Sequence, residues 1–329
     1  MNLPKVSIII PRKPGGDVGA LKGLERVSYP PERYEVLIAY GCLPSAQRNL
    51  AAAEASGDIL FFLDDDSLVD PGFLETAVRH YQDPKVAAVG GPSLTPASDT
   101  PMQRAIGAAF ASAVGGGGVR NRYRKEGSAR HTGDSELILC NLSFRRRVYL
   151  SEGGLDERLY PNEENELMDR LQHEGYHLVH DPELAVFRSQ RRSYRAYLRQ
   201  MYGYGRGRGE QTVLSGKVKP VSLAPAAFLC YLLLFSWLGG WFALPALCYL
   251  ALVALASLAE TVAGRDLRLF PWLLLVFPTL HLAYGAGTVS GLARPRFRQR
   301  TCDESSIEVR RVKPFATECA DLSDVEPAP

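Results

Sequence analysis

Three consecutive aspartates, Asp64, Asp65 and Asp66, follow directly after the apolar run 59–63. Adjacent carboxylates repel one another, so this cluster is costly unless a cation neutralises it. Oxygen ligands favour Mg²⁺ or Mn²⁺, which proteins commonly bind through one or two carboxylates together with substrate phosphate oxygens. Because side chains alternate along an extended chain, Asp64 and Asp66 are predicted to share one divalent cation bound to a diphosphate. The alternative is an acidic turn that caps the helix after Pro71.

A second acidic pair, Glu163 and Glu164, opens a segment whose pattern predicts a helix. The helix is expected to run from Asn162, its cap, to His173, and Gly175 ends it. The helix macrodipole favours the ionised form of a carboxylate near the N-terminus, which keeps it ready to accept a proton. The pair is therefore a candidate general base. The alternative is that these acids only cap the helix.

The stretch from Leu184 to Gly209 contains seven arginines and no acidic residue. Helical spacing places Tyr194, Leu198 and Met201 on one stripe with arginines beside it, which predicts an amphipathic helix at a membrane interface. Such a helix could meet anionic lipid and the phosphates of a lipid-linked acceptor, or it could carry only the positive charge that flanks membrane spans. The candidate contacts to a diphosphate or an acceptor are Arg188, Arg191 and Arg192.

Strands and helices alternate through the part of the chain that carries these residues. The predicted strands cover 5–11, 35–39, 59–63, 86–89 and 136–142, and the predicted helices cover 17–27, 45–55 and 71–81. This alternation predicts a doubly wound α/β sheet that binds ligands at the carboxyl ends of its strands. The Gly-, Ala- and Arg-rich stretch 92–133 breaks the pattern and is interpreted as a mobile lid.

The composition excludes several classes of protein. The 329 residues include 38 Lys+Arg and 36 Asp+Glu, and 46% are hydrophobic. An apolar content of this size excludes global disorder, and the length suggests about two domains. A net charge of +2 does not indicate a nucleic-acid partner. The six cysteines lie far apart without a CxxC pair, so a disulfide scaffold or a structural zinc site is not expected.

Two long apolar stretches, 221–259 and 267–292, predict a membrane region because a span needs about 20 apolar residues. The first is 39 residues long and interrupted at Gly239-Gly240, so we interpret it as a hairpin of two helices. The second is one span, or a re-entrant element kinked at Pro278. Buried core helices of a soluble protein are the alternative.

The charges around these stretches predict the orientation. No secretory signal opens the chain, so the large domain is expected in the cytosol. The arginine-rich start of the tail 293–329 is a positive-inside signal that places it on the same side. Three helices that each cross the bilayer would place the tail on the side opposite the large domain. We therefore expect two or three spans, one of which is re-entrant and does not cross. The tail itself is expected to be disordered.

Four segments together resemble family 2 glycosyltransferases of the GT-A fold in order and spacing. They are Val6 to Pro11, Arg48-Asn49, Gly57 to Asp66, and Glu163 to Leu171. The resemblance covers residues 4–210. The segment Gly203 to Arg208 before apolar helices is similar to the membrane-anchored members that build bacterial surface polysaccharides. The resemblance implies a GT-A domain with a Rossmann-like, mostly parallel sheet, followed by C-terminal transmembrane helices.

The resemblance also implies roles for single residues. Asp66, with Asp64, matches the ligand of the divalent metal, and Glu164 matches the base, although the family pattern has Asp there; Glu163 is the second candidate. Arg188 stands where many relatives carry His and is expected to pair with the diphosphate. Tyr40 stands where relatives have an Asp that reads the base, and it could stack on the base instead. The residues implied to bind the nucleotide sugar are Pro11, Tyr40, Arg48, Asp64 and Asp65.

The implied function is inverting transfer of a sugar from a nucleoside-diphosphate sugar to a lipid-linked or growing glycan acceptor. The expected location is the cytosolic face of the inner (plasma) membrane, as a multi-pass protein in contact with lipids. The alternatives are transfer to polyprenyl phosphate and an inactive membrane anchor for glycan-assembly proteins. The chain is divided into a catalytic domain (1–187), a basic interfacial segment (188–220), a membrane region (221–292) and a tail (293–329).

Overall fold

The structure, a computed structural model, describes residues 3–218, 220–238, 240–297 and 306–316. It contains a mixed sheet of eight strands and a second sheet of three. The strands are β1 (Val6–Arg12), β2 (Tyr34–Tyr40), β3 (Ile59–Leu63), β4 (Leu68–Val69), β5 (Val86–Gly90), β6 (Ser93–Leu94), β7 (Arg130–Thr132), β8 (Asn141–Arg145), β9 (His177–His180), β10 (Val186–Phe187) and β11 (Glu308–Lys313).

The order of the large sheet is β11-β2-β1-β3-β8-β5-β9-β7. Strand β1 is parallel to β2 and β3, and β5 is parallel to β9, whereas β8 is antiparallel to both of its neighbours. The α-helices are α1 (Ala20–Leu24), α2 (Pro44–Glu54), α3 (Phe73–Val78), α4 (Pro101–Ala111), α5 (Arg146–Ser151), α6 (Glu163–His173), α7 (Tyr194–Ser215), α8 (Pro220–Leu238), α9 (Leu244–Ala263) and α10 (Leu269–Ala293).

The large sheet is buried on both faces, as β3 illustrates. All five residues of β3 are buried, and successive side chains enter different cores. Phe61 packs in the core that contains α1 and α3, and Phe62 packs in the core that contains α2 and α6. A strand covered on both faces is expected to be a continuous apolar run, which is what the sequence of β3 is. The predicted α/β fold is therefore confirmed.

Two expectations about local structure were wrong. The predicted strand 136–142 is shifted, because the ladder forms over Asn141–Arg145 and pairs with β3 and β5. The stretch 92–133, interpreted as a mobile lid, contains the buried helix α4. Thr100 and Gln103 form a capping box at its start, and Ile106 is fully buried against α10. Small side chains of α4, such as Ala105 and Ala109, obscure the helical pattern of apolar residues in the sequence. The same side chains allow α4 to pack closely against α10.

Helix α7, predicted to lie at a membrane interface, packs along α10. Glycines allow the close approach: a Cβ on Gly205 would lie 1.9 Å from the Tyr284 carbonyl oxygen, and one on Gly287 would lie 2.1 Å from the Tyr202 carbonyl oxygen. Met201 is buried in this interface. The three residues of the predicted apolar stripe therefore do not share one environment, because Leu198 is exposed and the other two are not.

Two helical segments are long and apolar enough to cross a membrane. They are Gly240–Ala263, with a mean hydropathy of 2.2, and Leu269–Ala293, with a mean hydropathy of 1.5. The preceding helix is apolar over the shorter segment Pro220–Leu234. Leucines of α9 such as Leu255 (67% exposed) face outwards. These helices indicate association with a membrane.

Part of the tail is ordered, although the sequence predicted disorder. Strand β11 pairs antiparallel with β2 and forms one edge of the large sheet. Arg311 Nε lies 2.7 Å from Oε2 of Glu35, a β2 residue that is 1% exposed. The buried carboxylate thus gains a cation, a partner that a sequence pattern does not reveal. Residues 298–305 and 317–329 of the tail lie outside the described residues.

We predict that Arg311→Ala lowers the free energy of unfolding by about 1–2 kcal/mol, because it leaves a buried carboxylate without its counter-ion. The matched control is Arg310→Ala on the same strand, whose partner Glu308 is exposed; this variant should change stability much less. Denaturant unfolding of the purified protein in detergent measures both. Equal losses from the two variants would contradict the pairing of Arg311 with Glu35.

Candidate active site

The three aspartates lie at the carboxyl end of β3, and each is paired with an arginine. Arg12, the last residue of β1, contacts Asp65. Arg48 of α2 places Nη2 2.8 Å from Asp64 Oδ1. The sequence predicted repulsion that a cation must relieve, and these arginines supply positive charge within the protein.

Arg188 follows β10 and contacts two of the aspartates. Its Nη2 lies 3.0 Å from Asp64 Oδ2, and its Nε lies 2.6 Å from Asp66 Oδ1. Burial raises the pKa of Asp64, but the charges of Arg188 and Arg48 outweigh that effect and hold it below its usual value. Burial alone would lower the pKa of Arg188, yet the neighbouring carboxylates raise it well above normal. Asp64 and Arg188 are therefore a firmly ionised pair.

The small sheet positions Arg188 opposite the aspartates. Strand β4, which begins two residues after Asp66, pairs with β10, so that Leu68 lies opposite Phe187. The backbone N–H of Arg188 donates to the Leu94 carbonyl of β6 at 2.9 Å. Main-chain hydrogen bonds thus fix the arginine relative to the turn that carries the carboxylates.

The acidic pair at the start of α6 is connected to this cluster through Arg48. Arg48 Nη1 lies 3.7 Å from Glu163 Oε1, while the same guanidinium binds Asp64. Glu163 is 3% exposed. Burial, together with the charge of Glu164, raises the pKa of Glu163 well above its usual value. Glu164 is the more accessible of the two.

Arg122 positions α6, and sequence reasoning missed it. Its Nη2 donates to Oδ1 of Asn165 in the first turn of the helix at 2.6 Å, and its Nε donates to the Ser135 carbonyl at 2.9 Å. Asn162 is the N-cap residue, as predicted, but it has φ 95° and its side chain makes no capping hydrogen bond. Arg122 lies in the irregular stretch, where no local pattern marked it.

A small polar pocket adjoins Arg188, between the end of β10 and α7. Its lining includes Arg188, Arg191, Gln200, Tyr204 and Tyr123. The structure thus brings Arg188 and Arg191 together at one pocket. Arg192 is exposed and is not among the lining residues.

The remaining predicted site residues lie on neighbouring strand ends. Pro11 is half-buried near the end of β1 and lies opposite Ala39 of β2. Tyr40 is the last residue of β2, and the Arg310 guanidinium of the tail strand lies over its ring, 5.2 Å from the centroid. Tyr40 also packs against the core that contains α1 and α3, so the guanidinium and the core both contact this side chain.

The donor set at the aspartates limits how a divalent ion could be held. Both oxygens of Asp64 and one oxygen of Asp66 are paired with arginines. Of the two aspartates predicted to share an ion, only Asp66 therefore keeps an oxygen that no arginine of the described residues pairs with, so phosphate oxygens and water would supply most of the ligands. Mg²⁺ and Mn²⁺ accept such an arrangement. Among the described residues, a potential three-ligand cluster lies elsewhere, at Asp83, His131 and His177.

Residues 59–288 match the profile described as "Glycosyl transferase family group 2". The chain belongs to this family. The motifs of the sequence predicted it, and the matched region covers more than half of the chain. It includes the aspartate cluster, α6, Arg188 and most of the apolar helices.

Two characterised relatives resemble this member of the family. Pre-mycofactocin glycosyltransferase of Mycobacterium tuberculosis is 27% identical over 192 residues, which is 58% of this chain and 40% of the relative. Succinoglycan biosynthesis protein ExoA of Rhizobium meliloti is 27% identical over 208 residues, 60% of each chain. The chain therefore spans 40% to 60% of the length of these relatives.

The fold is similar to that of a solved GT-A enzyme. Mannosyltransferase PcManGT from Pyrobaculum calidifontis, solved in complex with GDP-Man and Mn²⁺, matches with a TM-score of 0.58 over 88% of both chains at 17% identity. This likeness concerns the fold, and it confirms the GT-A architecture expected from the sequence.

We predict that Glu163→Gln flattens the pH dependence of stability. Because the folded-state pKa of Glu163 is raised above its unfolded value, the wild type should lose stability as pH rises through the folded pKa. The neutral amide removes this loss, so the variant should melt roughly 2–4 °C higher than wild type at mildly alkaline pH and no higher under acidic conditions. Thermal melts across pH measure this.

Glu166→Gln is the control, because Glu166 pairs with Arg170 on the same helix and is less buried. If it reproduced the alkaline stabilisation, burial of Glu163 would not be the cause.

Proposed function

We propose that the protein transfers a sugar, with inversion, from a nucleoside-diphosphate sugar to a lipid-linked or growing glycan acceptor. The observation that carries the proposal is the position of Arg48, which binds Asp64 and lies beside Glu163. One guanidinium thus joins the carboxylates at the end of β3 to the helix that carries the candidate base. Donor and base would share one cleft.

Glu163 and Glu164 differ in burial and in protonation, which supports different roles for them. Glu163 is buried and has a raised pKa, which favours its neutral form. Glu164 is the more accessible carboxylate, so it is the proposed base that takes the proton of the acceptor hydroxyl. Asp64 is assigned to the nucleotide ribose and Asp66 to a divalent ion. That ion, when bound, supplies positive charge for the departing diphosphate.

The pocket beside Arg188 supports an acceptor that carries phosphate. Arg191 contributes fixed positive charge, and Tyr204 and Gln200 contribute hydrogen-bonding groups. The pocket lies against α7, which packs on the apolar helices. A lipid-linked acceptor could place its phosphate here while its chain remains in the bilayer.

We predict that Glu164→Gln lowers kcat/KM for glycan acceptors about 10²–10⁴-fold, because the amide cannot accept the proton. Binding of the donor should change little. Diphosphate release from a panel of nucleotide sugars, together with calorimetric donor binding, measures the two effects. The control is Glu174→Gln, an exposed acid at the other end of α6.

The same experiment separates the alternatives. Transfer to polyprenyl phosphate needs no strong base, so high activity of Glu164→Gln with that acceptor would favour this second function. An inactive anchor would bind no nucleotide sugar at all.

We further propose that α8 and α9 form the membrane hairpin and that α10 does not cross the bilayer. Both ends of α10 lie against the preceding part of the chain: Asp266 Oδ2 is 2.6 Å from Arg104 Nη1 of α4, and the Arg296 N–H donates to Glu210 Oε1 of α7 at 2.9 Å. Its middle is also covered, because the Tyr194 hydroxyl lies 2.7 Å from Thr279 Oγ1. A crossing helix would carry these polar contacts into the bilayer core, which is costly.

The tail supports the same topology. Strand β11 belongs to the sheet that carries the site, so the chain returns to the side of the membrane on which it started. A hairpin that enters and leaves on one side satisfies this condition. We assign the catalytic domain to the cytosolic face of the inner membrane.

Cysteine labelling tests this topology. We expect Leu267→Cys, between α9 and α10, to react with a membrane-impermeant maleimide in inverted vesicles and not in intact spheroplasts, in a background without native cysteines. Glu25→Cys on the catalytic domain is the control, because both positions are exposed. Labelling of Leu267→Cys in intact spheroplasts would contradict this topology and indicate instead that α9 and α10 both cross the bilayer.

A further inference from the structure

We propose that Arg188 is a built-in cation of the diphosphate site, so that the protein binds nucleoside diphosphates without a divalent ion. The inference rests on the proposed function, because it concerns the same donor site. It goes further by assigning to a side chain part of the charge that a metal would otherwise provide.

Arg188 occupies the position between the two carboxylates that were predicted to share an ion. Its Nη2 and Nε lie 3.0 Å from Asp64 Oδ2 and 2.6 Å from Asp66 Oδ1. A single planar guanidinium thus bridges the two residues. A divalent ion bound by both carboxylates would need the same oxygens.

Charge balance leads to the same inference. The three aspartates are matched by three arginines, Arg12 at Asp65, Arg48 at Asp64, and Arg188 at Asp64 and Asp66. The repulsion that would recruit a cation is therefore already relieved within the protein. The cluster is then neutral as a whole, and a diphosphate binds through hydrogen bonds from a guanidinium whose charge does not depend on pH in the physiological range.

The position of Arg188 is fixed before any ligand binds. Its backbone is held by β6, through the carbonyl of Leu94, and the preceding residue pairs with β4. Its side chain is 23% exposed and lines the pocket beside α7. Within the described residues, Nη1 has no hydrogen-bond acceptor of its own, and it is the group left to bind a phosphate oxygen. A preorganised cation binds an anion without an added ordering cost.

The test measures nucleotide binding by calorimetry, with UDP, GDP, ADP, CDP and dTDP as probes, in EDTA and in Mn²⁺. For the nucleotide that binds, we expect the wild-type Kd to differ by less than about threefold between the two conditions. Arg188→Gln, which removes the charge, should weaken binding in EDTA by about tenfold or more. Arg188→Lys should retain part of the affinity.

Arg188→His provides the sharpest contrast, because imidazole is a metal ligand and is smaller than guanidinium. This variant should bind Mn²⁺ in the absence of nucleotide, detected by electron paramagnetic resonance, and its nucleotide binding should require the ion. The wild type should bind no Mn²⁺ tightly by itself. Arg147→His, exposed on α5 at the opposite end of β3, is the matched control.

The outcomes distinguish this inference from the function on which it rests. Wild-type binding that is lost in EDTA and restored by Mn²⁺ overturns the role of Arg188 and leaves the proposed transferase intact. Failure of every nucleotide to bind in either condition overturns both. Because the wild-type comparison needs no variant, poor folding of an Arg188 variant does not remove the test; melting curves identify such a variant.

Discussion

The pairing of carboxylates with arginines at the carboxyl end of β3 is the interaction on which this structure depends. Three adjacent aspartates would repel one another strongly in a site of low dielectric. Arg48 and Arg188 relieve this repulsion from opposite sides, since both bind Asp64. The acidic groups can therefore lie close together before any substrate arrives, which is the preorganisation that stabilises developing charge during group transfer.

Separate parts of the chain must fold correctly for this pairing to form. Helix α2 supplies Arg48, and the three-stranded sheet supplies Arg188 by pairing β10 with β4, immediately after the aspartates. Arg122, from the stretch between α4 and β7, fixes the first turn of α6 through Asn165. The site is thus a meeting point of elements that are distant in sequence, and each reaches it through main-chain pairing or a buried hydrogen bond.

The apolar helices extend the catalytic domain as well as providing a membrane surface. Helix α10 packs against α4 and α7 and also against α8 and α9, so it connects the pocket beside Arg188 with the exposed apolar helices. Glycines on α7 and α10 allow their backbones to approach closely, as Gly205 does at Tyr284. This packing places the arginine-rich end of β10 and α7 near both the proposed donor site and the proposed bilayer, where a lipid-linked acceptor would be presented.

The sequence alone determined the family, the α/β fold, strands β1, β2, β3 and β5, the acidic clusters and the apolar helices. These features are local: a buried strand is a continuous apolar run, and a motif keeps its spacing whatever it contacts. Only the tertiary structure decided that Arg188 bridges Asp64 and Asp66, that Arg122 holds α6 and that β11 joins the sheet. Each of these depends on contacts between residues far apart in the chain, and the free energy of such a contact is set by burial and charge in the folded state, which no local pattern records.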